Sequence, residues 1–234
     1  MITQPQASAA AAPDPDEERR RIQTARLLAY RDDGPLVHAV APRLGKGLPP
    51  VATLLVTLLA TIAVALAGLS PLISVAIMVV LVLPTAASDH LGRLDWLVPP
   101  ILRGTEFLAV ILIGLSHDAP KWLLFVLLYV VGYHTYDTVY RTRQSIWPPT
   151  WVFMAGLGWE VRLLIIAAGA ALGVLTPVLY ALTAYLLVLF AVESVTSWVR
   201  LDKASAQASA DAEQDLEASP EDALEQATGE AEKA

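Results

Sequence analysis

Six stretches of the chain are long and apolar, and charged residues gather mostly between them. A helix needs about 20 mostly apolar residues to cross the hydrocarbon layer, within a range of about 17 to 25. The runs at 50–69, 72–87, 96–115, 122–140, 161–175 and 178–199 are read as such helices, with Ser70 and Pro71 making one tight turn and Thr176 and Pro177 another. Pro84, Pro99 and Pro100 fall at the ends of the second and third runs, where a missing backbone donor favours a kink or a stop. The pattern predicts an all-α fold, a polytopic membrane helical bundle of about six transmembrane helices.

The flanks differ from the centre. Residues 1–26 read as a disordered, basic N-terminal segment and 27–48 as a juxtamembrane amphipathic segment, since RRRIQTAR is followed by Leu27, Leu28, Leu36, Val37, Val40 and Leu44 on a polar background. A charged linker is the alternative for this stretch. The six-helix domain occupies 49–200. Residues 201–234 form an acidic tail without aromatic residues, expected to be disordered because it cannot bury enough surface to offset its chain entropy.

Charge then sets the orientation. The net charge of −7 over 234 residues comes from the tail, because 49–200 holds as many basic as acidic residues. Lys and Arg near helix ends are retained on the cytoplasmic side. With six spans only Lys121 of the 16 basic residues lies on the other side, so both termini are expected in the cytoplasm and the chain in the cell (inner or plasma) membrane as a multi-pass protein. Trp96, Trp122, Trp147, Trp151, Trp159 and Trp198 all fall near proposed helix ends, as interfacial indoles should. A hydrophobic content of 55% and a mean hydropathy of +0.52 agree. The absence of cysteine removes disulfides, thiolate nucleophiles and zinc-thiolate sites. No secretory signal is expected, because the charged stretch 13–21 precedes any apolar core.

Ionisable residues inside spans are costly and usually face a bundle interior or a wet cavity. Asp89, His90, Arg93 and Asp95 lie at the second cytoplasmic connection, Arg103 and Glu106 in the third run, His134, Asp137 and Arg141 in the fourth, Glu160 and Arg162 at the start of the fifth, and Glu193 in the sixth. His134, Asp137 and Arg141 stand at i, i+3 and i+7 and share one helical face, and Arg103 and Glu106 are i, i+3 neighbours. These residues are the ligand-binding candidates. Carboxylates beside arginines suit a divalent cation and a phosphate, with Asp95, Glu106 and Asp137 as candidate ligands for Mg²⁺ or Mn²⁺. Intramembrane ion pairs that only hold helices together are the plain alternative. Tyr133, Tyr136 and Tyr140 are read around the same face, as interfacial anchors or head-group contacts together with Trp147 and Trp151. MAGLGWE lacks the Lys-Ser/Thr ending of a phosphate loop, and Gly169 and Gly173 form a GxxxG pattern explained by close helix packing.

LGRLDWLVPPILRGTEFL, YHTYDTVYRTR and GWEVRLL, within about 27–200, resemble an actinobacterial integral-membrane domain of unknown function that is often fused to CDP-alcohol phosphatidyltransferase or nucleotidyltransferase domains. The resemblance implies a setting in phospholipid or phosphoglycolipid head-group assembly. The chain is also similar in architecture to CDP-alcohol phosphatidyltransferases, whose DxxDGxxAR and GxxxDxxxD motifs bind metal. Here Gly92 and Asp95 stand as a shortened remnant, Pro99 takes the place of the last aspartate, and 69–80 holds no aspartate.

The expected function is binding of a phosphate-bearing lipid or CDP-alcohol-like ligand at the cytoplasmic face, without the standard catalytic motif. The alternatives are a divergent metal-dependent CDP-alcohol phosphotransferase and a small transporter or structural membrane subunit. Expected partners are membrane lipids and a CDP-alcohol phosphatidyltransferase or nucleotidyltransferase. A homodimer is compatible with the pattern, and no nucleic-acid partner is expected.

Overall fold

The computed structural model describes residues 14–44, 49–68, 70–88 and 90–231, with the backbone alone at 64, 65 and 214–231. It is all-helical, 85% helix, with no strand among the described residues. The chain divides into two units, Met1–Phe190 and Ala191–Ala234.

Helix α1 (Pro15–Arg31) starts where the Asp14 carboxylate accepts the Asp16 amide at 2.9 Å, with proline at its first position and three acids in its first turn to complement the helix dipole. It ends at Asp32, which adopts a left-handed conformation (φ 54°) that Asp tolerates better than most residues. Helix α2 (Pro35–Leu44) follows after the three residues Asp32, Asp33 and Gly34. Of the segment expected to lie along the surface at 27–48, the described residues 27–44 comprise the end of α1, a buried turn and α2, and residues 15–26 of the segment expected to be disordered are helical.

Helices α3 (Pro50–Leu66) and α4 (Pro71–Val82) come next, and Pro84 converts the end of α4 into a 3-10 turn, Leu83–Ala87. A second 3-10 turn, Asp95–Leu97, leads into α5 (Val98–Ser116), followed by α6 (Lys121–Arg143), the short α7 (Thr150–Ala155), α8 (Gly158–Ala171) and α9 (Leu175–Ala231). The turn between α8 and α9 falls at 172–174, three residues earlier than the expected one at Thr176 and Pro177. Gly173 takes φ 71° and Val174 donates its amide to the Gly169 carbonyl at 2.8 Å, closing α8, while Pro177 is accommodated in the first turn of α9. Gly169 approaches Val178 so closely that a Cβ would lie 3.0 Å from its side chain. The backbone of the acidic tail continues α9 as helix to Ala231.

Three segments are long and apolar enough to cross a membrane: Asp95–Ser116, Thr150–Ala171 and Leu175–Glu213. The apolar helices at Pro50–Ala63 and Pro71–Ala87 are shorter, since 17 residues of α3 rise only about 25 Å against about 30 Å of hydrocarbon. In α6 length suffices, but its second half, YHTYDTVYRTR, is polar. The first unit has one apolar core, in which Leu54, Val82, Leu102, Leu123, Leu163, Leu179 and Leu186 are almost wholly buried. Leu59, Val80, Phe125 and Leu172 are exposed on the outside of the same helices, an arrangement compatible with a membrane protein.

The packing is tightest where the α1–α2 turn meets the α7–α8 turn. The Trp159 amide donates to the Asp32 carbonyl at 3.3 Å. A Cβ on Gly34 would lie 2.3 Å from the Leu157 carbonyl oxygen, and one on Gly158, which has φ 60°, would lie 2.1 Å from the Gly34 nitrogen. Neither backbone can yield without moving a helix.

Gly34→Ala is expected to lower stability by about 1–3 kcal/mol through this overlap. Gly104→Ala, on α5 with no atom within 4 Å of the added carbon, is expected to be neutral or stabilising. Thermal unfolding of the two variants in the same detergent measures the contrast.

Candidate functional site

The turn that ends α1, Arg31-Asp32-Asp33-Gly34, is buried at all four residues and inserts its charges among α5, α6 and α8. Unpaired charges in such a place would cost several kcal/mol each. Every one of the three is met.

Arg31, wholly buried, grips Asp33 with two guanidinium nitrogens, Nε to Oδ2 at 2.7 Å and Nη2 to Oδ1 at 3.3 Å. Its Nη1 donates to Thr85 Oγ1 at 3.1 Å and lies 3.3 Å from His90 Nε2. Because arginine can only donate, His90 Nε2 is the acceptor, and the proton of the neutral ring sits on Nδ1, 2.7 Å from the Ser88 carbonyl. Burial first, and the Arg31 charge second, hold the His90 pKa below its ordinary value. Asp33 also accepts the indole N–H of Trp159 at 2.9 Å.

Asp32 is the centre of a second set. Its Oδ2 accepts from Arg162 Nη2 at 2.8 Å and from Arg103 Nη2 at 3.1 Å. Arg162 in turn donates Nε to Glu106 Oε1 at 2.9 Å and Nη1 to the Gly156 carbonyl at 2.9 Å, and Arg103 also pairs with Glu106. His134 Nε2 stands 3.7 Å from Asp32 Oδ1, close enough for charge attraction and too long for a hydrogen bond, with its ring flat against Phe190 at 3.9 Å. Burial pushes the Asp32 carboxyl upward, but Arg162, His134 and Arg103 together outweigh it and hold it well below the usual carboxylate range.

Glu160 has a different task. Its two oxygens accept the backbone amides of Gly34 and Val37 at 3.2 Å each, capping the N-terminus of α2 from another helix and placing a carboxylate at its positive end. One turn beyond His134, Asp137 and Arg141 form a buried pair at 2.7 Å on the inner face of α6, and Thr142 Oγ1 donates to Tyr30 Oη of α1 at 3.1 Å.

Of the residues expected to form a site, the structure thus joins Arg103, Glu106, His134 and Arg162 around Asp32, sets Asp137 and Arg141 beside them on α6, and ties His90 and Glu160 to the same turn. Asp95 instead folds back on its own loop, accepting the Gly92 amide at 2.9 Å, and Arg93 is exposed. Glu193 belongs to the second unit, where it accepts Ser197 Oγ at 2.9 Å. Asp89 lies outside the described residues.

Three expectations are corrected. Trp159 is not an interfacial indole but a fully buried one, because its N–H has a partner in Asp33. Tyr133, Tyr136 and Tyr140 do not surround the face of His134, Asp137 and Arg141; they are exposed, with Tyr136 and Tyr140 stacked at 6.1 Å, while the charged trio is buried. Asp95, Glu106 and Asp137 also fail to converge: among the described residues no group of three His, Asp or Glu side chains could hold a metal ion. With Glu106 engaged by two arginines and Asp137 by a third, the donor set does not fit Mg²⁺ or Mn²⁺.

Arg31, Asp32 and Asp33 were not among the expected site residues. The available signal was the sequence RDDGP itself, three charges and a turn between the apolar pairs Leu27-Leu28 and Leu36-Val37. The cavity beside Glu106 and Arg162 measures about 10 Å³, little more than room for a water.

Fold and site define an all-helical protein with apolar helices of membrane length, in which a network of mutually paired charges fastens an N-terminal helix pair to the bundle. The chain belongs to DUF5941, a family of unknown function, which it matches over residues 22–215, a span that takes in the whole network. No curated protein and no solved structure matches it.

Trp159→Phe keeps the ring and removes the donor to Asp33, and is expected to cost about 1.5–3 kcal/mol in thermal unfolding. The lowered pKa of His90 means that the unfolded chain binds more protons below about pH 6.5, so this contribution is complete above that pH and is lost as pH falls toward the folded value. The unfolding midpoint should therefore drop between pH 7 and pH 5, and drop less in His90→Gln, as pH-resolved melts would read.

Proposed function

We propose that the chain is a six-span protein of the cell membrane with both termini cytoplasmic, that it works beside an enzyme of phospholipid or phosphoglycolipid head-group assembly, and that it binds a phosphate-bearing lipid or CDP-alcohol-like ligand at its cytoplasmic face without catalysing transfer. In this reading α3, α4 and α6 join α5, α8 and α9 as spans. The burial of His134, Asp137 and Arg141 against partners supports the inclusion of α6, because paired and inward-facing charges are the tolerated kind within a bilayer.

One observation carries the non-catalytic part: two of the three candidate metal carboxylates, Glu106 and Asp137, are occupied by arginines, and the two on Glu106, Arg103 and Arg162, also hold the end of α1 through Asp32. The second reading, a divergent metal-dependent phosphotransferase, would have to dismantle that fastening to free Glu106. A transporter is less favoured, because the paired charges gather toward the ends of α5, α6 and α8 that meet the α1–α2 turn. The head-group setting rests on the resemblance of LGRLDWLVPPILRGTEFL and YHTYDTVYRTR to a domain fused to CDP-alcohol phosphatidyltransferases, such an enzyme or a nucleotidyltransferase being the natural partner.

The absence of cysteine makes topology directly readable. Single variants Gln144→Cys, Ser205→Cys and Asp118→Cys, labelled with a membrane-impermeant maleimide in vesicles of known orientation, should place the first two on the cytoplasmic side and the third on the other. Labelling of all three from one side would overturn the six-span arrangement. For the function, a phosphate-bearing lipid or CDP-alcohol should raise the unfolding midpoint of the purified chain with no transfer product. Turnover of a labelled CDP-alcohol with Mg²⁺ or Mn²⁺ would instead establish the enzyme.

A further inference from the structure

We infer that α1 is an anionic-lipid sensor: its basic stripe docks on negatively charged head groups of the cytoplasmic leaflet, at a level fixed by the charge network. The inference rests on the membrane reading above.

The charge of α1 is laid out in three zones. Asp16, Glu17 and Glu18 occupy the first turn, where they serve the helix dipole. Arg19, Arg20, Arg21 and Arg26 follow, with no acid among them until Asp32. The last turn, Leu27 with Arg31, is buried in the bundle. Net positive charge is thus held between a solvated end and an anchored one.

The basic zone is also shaped. Arg19, Ile22, Gln23 and Arg26 stand at i, i+3, i+4 and i+7 and line one open groove of about 410 Å³. Arg26 contributes a buried Nε without a hydrogen-bond partner among the described residues, and Ile22 and Leu28 are exposed apolar side chains on the same helix. The present partners of the stripe are weak ones. Arg19 meets Asp16 at 2.8 Å and Arg21 meets Glu18 at 3.7 Å, both in exposed i, i+3 pairs of the kind that contribute little in water and exchange readily. A phosphodiester offers the guanidinium a better-matched, two-point acceptor.

Position argues for lipid over a soluble phosphate. Arg31 couples the end of α1 to His90, on the connection between α4 and α5. That connection exposes Leu91, Leu94 and Trp96, the last with 59% of its surface free, which is the amphipathic composition of a membrane interface. A helix sewn to such a loop at Arg31 keeps Arg26, five residues away and so about 7.5 Å along the axis, beside that interface, and Arg19 within about 18 Å of it. Anionic leaflets attract juxtamembrane arginines, and the attraction fades within a Debye length.

The test uses the full-length chain carrying Gln23→Cys with a fluorophore, reconstituted in nanodiscs of phosphatidylcholine alone or mixed with phosphatidylglycerol, with a quencher attached at head-group level. Quenching should be several-fold stronger in the anionic discs. It should return to the zwitterionic level in high salt and in the triple variant Arg19→Gln, Arg20→Gln, Arg26→Gln, whose unfolding midpoint should stay that of the parent. Quenching that ignores lipid charge and the arginines overturns the inference. So does a change that requires inorganic phosphate, or one that scales with the number of chains per disc, which would point to a second copy as the occupant. A parallel Asp118→Cys label separates the two proposals: if it reports a chain that is not inserted, the membrane reading fails with the inference, and if it reports normal insertion, only the docking fails.

Discussion

The contact between Asp32 and Arg162, at 2.8 Å, is the interaction on which the placement of the N-terminal helices depends. Arg162 reaches three separate elements at once: the end of α1 through Asp32, α5 through Glu106, and the end of α7 through the Gly156 carbonyl. Replacing such a group by an apolar side chain can be harmless if every partner is replaced too, but removing one member strands the others in a dry interior. The network therefore acts as a specificity device. The docking of RDDGP against GWEVR satisfies Asp32, Asp33 and Glu160 together, and the backbones of Gly34 and Gly158 admit it because neither carries a side chain.

Local chemistry prepares this contact. A helix C-terminus normally leaves carbonyls and a change of direction to be managed. Here Asp32 manages both, taking the left-handed conformation that ends α1 while its carbonyl receives the Trp159 amide. The start of α2 is served from a distance by Glu160, in the first turn of α8. The same residues thus close one helix, open another and balance the arginines of α5 and α8.

Much of this fold is legible in the sequence, and the reason is physical. Apolar length alone marks α3, α4, α5, α6, α8 and α9, though not the short α7, and the inward face of α6 follows from the spacing of His134, Asp137 and Arg141. The polar end is legible as a set of residue types, since Arg103, Glu106 and Arg162 do meet. What remains hidden is the partner that joins them. Asp32 lies 71 residues from Arg103 and 130 from Arg162, and no periodicity links positions so far apart. Trp159 misleads for the same reason, because its position near a helix start suggests an interface while its donor is consumed by Asp33, 126 residues away. A proline at 177 suggests a turn, yet a helix accepts proline in its first turn, and the left-handed Gly173 decides where α8 stops.

Asp32 and Arg162 act as one unit in fastening α1 to the bundle. A double-mutant cycle of Asp32→Asn and Arg162→Gln, read by thermal unfolding in a single detergent, tests it most directly. Each single variant should lose about 3 kcal/mol or more, and the double variant little more than either alone, since the second change removes a charge already stranded by the first. Losses that add to within about 0.5 kcal/mol would show two independent sites and contradict the account.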